Sequence, residues 1–207
     1  MLQLNNIVNS NGSNGGGGGG GGSSDVPKFS YYVDFANNNG TITLLPKSAL
    51  KSTNNADYYI SFLCKQENAT YTMLEIGGVL KFGYLSGNGM CSYNYANQAG
   101  EVISDMPDAG RQEYKINING TKKTFYVRSG DTWESIYEQT DSGMNTDSDI
   151  INTVGSGAEN TSDKSLNPID FWSLKIDIGG TTVFDGKTAV RGTDYNTSGI
   201  LPIITLF

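Results

Sequence analysis

RQEYKININGTKKTFYVRSG, residues 111–130, decides the fold. Tyr114, Ile116 and Ile118 alternate with charged and polar neighbours, the period of a strand with one buried face. Asn119-Gly120 follows, the pair preferred by type I′ turns, whose central residues both take positive φ. Residues 124–128 then return as the partner strand. The stretch predicts an antiparallel hairpin with Ile116 and Ile118 facing a core.

The same pattern recurs on both sides. FWSLKIDIGGTTVFDG (171–186) reads as a second hairpin around Gly179-Gly180, and Trp172 is expected in the core. YTMLEIGGVLKFGYL (71–85) is divided by Gly77-Gly78, which reads as a tight turn. DYYISFLCK (57–65) puts Tyr58, Ile60, Phe62 and Cys64 on one face and Tyr59, Ser61 and Leu63 on the other. Both faces are fairly apolar, so this strand belongs in the middle of a sandwich. FSYYVDF (29–35), TITLL (41–45), MCSYNY (90–95) and ILPIITLF (200–207) supply further strands. TWESIYEQ (132–139) suits a strand or one or two helical turns. Residues 141–168 are polar, with IINTV as the one strand candidate, and a loop of that length is often functional or mobile. Strands at this spacing without an amphipathic helix predict an all-β, two-sheet antiparallel jelly-roll sandwich.

In front of the sandwich, residues 9–28 read NSNGSNGGGGGGGGSSDVPK. Poly-Gly has no side chains to bury and the highest backbone entropy of any sequence. Three units follow: a short apolar anchor peptide at 1–12, a Gly-rich flexible linker at 13–27, and the β-sandwich at 28–207. Leu2, Leu4, Ile7 and Val8 are too few for a core and are expected to dock on a larger protein assembly. One such peg binds weakly, so a homo-oligomer, dimer or trimer, is expected to act through avidity.

Composition narrows the chemistry. A net charge of −7 disfavours nucleic acid, whose phosphates need clustered Lys and Arg. No apolar run is long enough for a membrane-spanning helix, so no membrane insertion is expected. The N-terminus has no signal-peptide pattern. The chain has no histidine, which removes a Ser-His-Asp triad, a Cys-His dyad and His-ligated zinc. Cys64 and Cys91 read as buried thiols rather than a disulfide framework.

Four stretches together resemble the concanavalin A-like, laminin-G-like jelly roll. They are DYYISFLCK, MLEIGGVLKFGY, EYKININGTKKTFYVRSG and WSLKIDIGGTTVFDG, in order between residues 57 and 186. The family's closing Tyr-Val-Asn-Gly is here Tyr126-Val127-Arg128-Ser129-Gly130. Glycosidases of this fold carry Glu-x-Asp-x-x-Glu on a concave-face strand, and no such triplet occurs here. Glu75, in MLEIGG, is the one Glu inside an apolar strand. Buried, it would suit an acid; beside a turn, such a residue more often points to solvent.

Exposed rings flanked by amides suit sugar faces. Tyr84, Asn88, Tyr93, Asn94 and Tyr95 form one candidate glycan patch, and Trp133 with Tyr137 a second. Asp141, Asp147 and Asp149 share a polar loop and are weak calcium candidates; no other cofactor is implied. The peg, linker and sandwich layout is similar to bacteriophage fibre, decoration and receptor-binding proteins. The expectation is a non-enzymatic virion structural protein that displays a glycan- or surface-binding head. A bacterial cell-surface or secreted carbohydrate-binding module is the first alternative, and a glycoside hydrolase of jelly-roll fold the second.

Overall fold

A computed structural model describes residues 30–36, 40–65, 69–147, 149–158, 164–199, 201 and 203–206. Leu2, Leu4, Ile7 and Val8 and the 13–27 linker lie outside the described residues. The strands in chain order are β1 (Ser30–Val33), β2 (Thr41–Leu44), β3 (Ala56–Cys64), β4 (Tyr71–Ile76), β5 (Leu80–Leu85), β6 (Gly89–Asn94) and β7 (Ala99–Ser104). They continue with β8 (Gly110–Asn119), β9 (Lys122–Ser129), β10 (Thr132–Thr140), β11 (Asn152–Val154), β12 (Lys175–Ile178), β13 (Thr181–Asp185), β14 (Tyr195–Ser198) and β15 (Ile203–Leu206).

Two antiparallel sheets face each other as a jelly-roll sandwich. One has six strands in the order β10-β9-β8-β3-β12-β13, the other seven in the order β14-β2-β11-β4-β5-β6-β7. β3 is central, between β8 and β12, as its two-sided apolar character predicts. The sheets meet through rings. Tyr114 on β8 stacks on Phe62 of β3, 5.8 Å between centroids, and its ring lies 5.4 Å from Phe82 of β5 in the opposite sheet. Ile116, Ile118 and Phe125 are fully buried beside them. β1 and β15 form a small antiparallel pair, and Ile169 bridges Val33 of β1 to Phe62 of β3.

The decisive hairpin forms with one adjustment. Asn119 pairs with Lys122, so the two turn residues are Gly120-Thr121 rather than Asn119-Gly120. Gly120 has φ +63° and Thr121 is not among the positive-φ residues, so glycine occupies the first central position, as in a type II′ turn. Gly179-Gly180 is the true two-residue turn with both φ positive, at +57° and +80°. The Gly77-Gly78 turn holds three residues, because Ile76 pairs with Leu80. TWESIYEQ lies wholly within β10. Trp172 is half-buried in a 3-10 turn, its ring edge-on to Phe171, and not a core strand residue.

Candidate functional site

Strand parity builds a cavity on the solvent side of the seven-stranded sheet. Leu74 pairs with Phe82, and both are core residues, so the next pair, Glu75 and Lys81, points the opposite way. Ser92 pairs with Phe82 and faces inward, so Tyr93 points outward with Lys81. The turn after β6 adds Tyr95 and Gln98, and the polar segment after β10 adds Gly143 and Ile150. These seven residues line a cavity of about 350 Å³.

A buried polar scaffold holds the rim. Lys123 and Asp141 are both completely inaccessible, and the ammonium donates to Asp141 Oδ2 at 2.6 Å and to the Tyr93 carbonyl at 3.0 Å. Asp141 also accepts the amides of Tyr95 (2.9 Å), Ala96 (3.0 Å) and Gly143 (3.1 Å). Burial alone would raise the Asp141 carboxyl; the Lys123 ammonium and these amide donors outweigh it and hold it below the usual carboxylate range. The Lys123 ammonium also lies 5.1 Å from the centre of the Tyr95 ring. One ion pair therefore joins β9, the 95–98 turn and the 141–143 segment.

The outer wall is close-packed backbone. A Cβ on Gly143 would fall 2.4 Å from the Ala96 nitrogen, and one on Gly77 2.5 Å from the Ile150 carbonyl. The Asn145 amide donates to the Gly78 carbonyl at 2.8 Å, and Lys51 Nζ donates to the Ile150 carbonyl at 2.7 Å. The polar stretch is thus pinned to the β4–β5 turn at Asn145 and Ile150, and to the turn after β6 at Gly143.

Within the cavity, Glu75 is 4% exposed; its Oε2 accepts the Ala158 amide at 2.9 Å and lies 4.0 Å from Lys81 Nζ. The acid is buried, against the solvent-facing expectation. Burial, then the Glu75 and Asp141 carboxylates, push the Tyr95 phenol above its ordinary value, so it stays a neutral hydroxyl. Gln98 has φ +54°, a left-handed conformation uncommon for a residue other than Gly or Asn.

The sequence-predicted glycan residues divide. Tyr93 and Tyr95 line the cavity, their rings edge-on at 5.1 Å. Tyr84 is turned inward and packs on Tyr71 at 5.5 Å. Asn94 is buried and structural: its Oδ1 accepts the Ala96 amide, and its Nδ2 donates to Glu101 and to the Thr140 carbonyl. Asn88 sits in the exposed β5–β6 turn, bonded to Ser86. Trp133 and Tyr137 do not form one patch. A register shift between Ser135 and Tyr137 sets Tyr137 opposite Phe125, against the core, while Trp133 faces outward. Lys81 and Gln98 were missed as cavity-lining residues; the parity of Lys81 with Tyr93 becomes visible only once the β5–β6 register is known.

Asp141, Asp147 and Asp149 do not converge. Asp141 is occupied by Lys123, while Asp147 and Asp149 are exposed. Among the described residues no three His, Cys, Asp or Glu side chains gather in a way that could hold a metal ion. Cys64, in the six-stranded sheet, is buried beside Met106 and Pro107, and Cys91, in the other sheet, is half-buried.

No family model and no curated protein matches the chain. Among solved structures it is similar to the GH43 protein BlXynB of Bacillus licheniformis, with 11% identity, a TM-score of 0.34, and coverage of 74% of this chain and 27% of that one. A point mutant of the same protein matches at 13% identity and a TM-score of 0.26, over 86% of this chain and 27% of the other. The chain therefore spans about a quarter of the proteins it matches. The matched proteins are glycoside hydrolases, against the expectation that the chain is no enzyme.

Proposed function

We propose that this domain recognises carbohydrate in the cavity lined by Glu75, Lys81, Tyr93, Tyr95 and Gln98. One observation carries the reading: two tyrosine rings, a carboxylate, an ammonium and a primary amide meet around a space of about 350 Å³. Rings accept the apolar face of a sugar, and the charged and amide groups accept and donate to its hydroxyls. The resemblance of the four sequence stretches to the concanavalin A-like jelly roll supports the same reading. The peg-and-linker layout supports display of the cavity from a larger assembly, a virion or a cell surface. The test is titration calorimetry of the full chain with neutral oligosaccharides, wild type beside Tyr93→Ala. Saturable heat that the substitution weakens about tenfold, roughly 1.4 kcal/mol, is expected. Equal heat from both proteins, or none from either, overturns the proposal.

A second reading is hydrolysis, favoured by the burial of Glu75 in the cavity wall. Its test is chromatography of oligosaccharides incubated with the chain. Products released by the wild type and absent with Glu75→Gln support it; products from neither protein, or from both, overturn it.

A further inference from the structure

The outer face of the six-stranded sheet carries rings and cations side by side. In register, Lys175 of β12 pairs with Tyr59 of β3, Tyr59 with Lys115 of β8, and Lys115 with Tyr126 of β9. Arg128 of β9 pairs with Trp133 of β10. Lys115 Nζ lies 4.3 Å from the centre of the Tyr126 ring, Arg128 Cζ 5.4 Å from that of Trp133, and Lys175 Nζ 5.5 Å from that of Tyr59.

Tyr59 and Trp133 stand on strands three places apart, about 14 Å at the usual strand spacing. Their ring centroids are nevertheless 5.9 Å apart. Both side chains must lean across β8 and β9 and lie along the sheet. The result is a low surface of rings and cations.

The charges on it are unevenly matched. Lys175 is held by Asp177 at 2.6 Å. Arg128 reaches Asp131 only at 3.7 Å, and that carboxylate is 95% exposed. Lys115 has no carboxylate within 4.0 Å among the described residues, and its ammonium lies over the Tyr126 ring. Asp57 and Asp177 stand beside Tyr59 at the β3–β12 side of the face, while toward β9 and β10 Lys115 leans on the Tyr126 ring and Arg128 on Trp133, with the Gly130 carbonyl at 2.8 Å and the exposed Asp131 as its other partners.

We propose that this face binds an anionic polysaccharide, one carrying sulfate or carboxylate groups, with Lys115 and Arg128 meeting the anions and Trp133 and Tyr59 the sugar rings. Ring stacking suits the sugar faces, and the cations supply a component screened by salt. The site is separate from the cavity, which opens on the other sheet.

The test is affinity electrophoresis of the full chain through gels containing dextran sulfate, polygalacturonate or neutral dextran, with melting temperature measured in parallel. Retardation by the two anionic polymers that falls as salt rises is expected, with none by neutral dextran. Lys115→Gln and Trp133→Ala should each weaken it about 5- to 10-fold, roughly 1–1.4 kcal/mol, while melting stays close to wild type. Tyr93→Ala should leave it unchanged, which separates this site from the cavity. Equal retardation by neutral dextran, or unchanged retardation of Lys115→Gln and Trp133→Ala, overturns the proposal. So does tighter binding of a single-stranded oligonucleotide than of either anionic polymer.

Discussion

Gln98 sits in a conformation that costs a non-glycine residue about 1–2 kcal/mol, and the residue lines the cavity. If the amide contacts ligand, Gln98→Gly should raise stability by about 0.5–1 kcal/mol, after the extra entropy of glycine in the unfolded chain, and lower oligosaccharide affinity. Thermal melting and calorimetry on the same samples check this; a gain in both, or a loss in both, would speak against a contact role. Lys123 works differently, because its charge is wholly enclosed. Lys123→Met leaves the Asp141 carboxylate buried without its cation, and a loss of about 3–5 kcal/mol is expected by urea unfolding. Adding Asp141→Asn to that variant should recover part of the loss. The pair also sets an acid limit. The folded-state pKa of Asp141 lies below its unfolded value of 3.8, so its contribution is full above that value and is lost as pH falls through the folded value. Acid unfolding should accordingly shift to higher pH in Asp141→Asn, followed by circular dichroism from pH 6 to 2.

At the scale of elements, alternation and turn chemistry were legible because they are local. The 111–130 hairpin, the central place of β3 and the 171–186 hairpin all follow from period-two patterns bounded by glycine. The same parity puts Tyr84 inward, on the face of Leu80 and Phe82, both buried, against its expected place in an exposed glycan patch. The wall built by Gly143, Asn145 and Ile150 was not legible, because what orders it is contact with residues 47 to 99 positions away in the chain. Neither was the split of Trp133 from Tyr137: four residues apart on a regular strand they share a face, and only the bulge in β10 separates them. Nor could Lys123 be told from Lys122, since its partner Asp141 is on the far side of another hairpin. The wall yields its own test. In Gly143→Ala the new Cβ meets the Ala96 backbone at 2.4 Å, so one segment must move. A loss of about 1–3 kcal/mol is expected. Hydrogen exchange should rise at the Tyr95 and Ala96 amides, both donors to Asp141, while the core β3 and β8 amides keep their protection.

Across the whole molecule, the first and last strands of the described chain close on each other. Ser30 pairs with Leu206 and Val33 with Ile203, so the two ends of the domain run antiparallel and side by side. β1 is held to the rest by the reciprocal amide bonds of Val33 and Ile169, at 2.8 and 3.0 Å, and by Tyr32 Oη, which accepts from Arg111 at 3.3 Å. Arg111 in turn grips Asp170 at 2.7 Å, and Asp170 caps the 3-10 turn at Ser173. β1 thus has two attachments: the β15 ladder on one side and the Ile169 and Arg111 contacts on the other. Removing residues 201–207 takes away only the first. The expected outcome is faster hydrogen exchange at β1 amides that pair with β15, with Val33 still protected through the Ile169 carbonyl. The β3–β8 ladder buries its own aromatic core and should exchange at its original rate. Loss of protection in β3 and β8 together with β1 would mean that the terminal pair and the sandwich unfold as one cooperative unit. Arg111→Ala added to the truncation should release Tyr32 as well and speed β1 amide exchange further, except at Val33, whose amide keeps its bond to the Ile169 carbonyl.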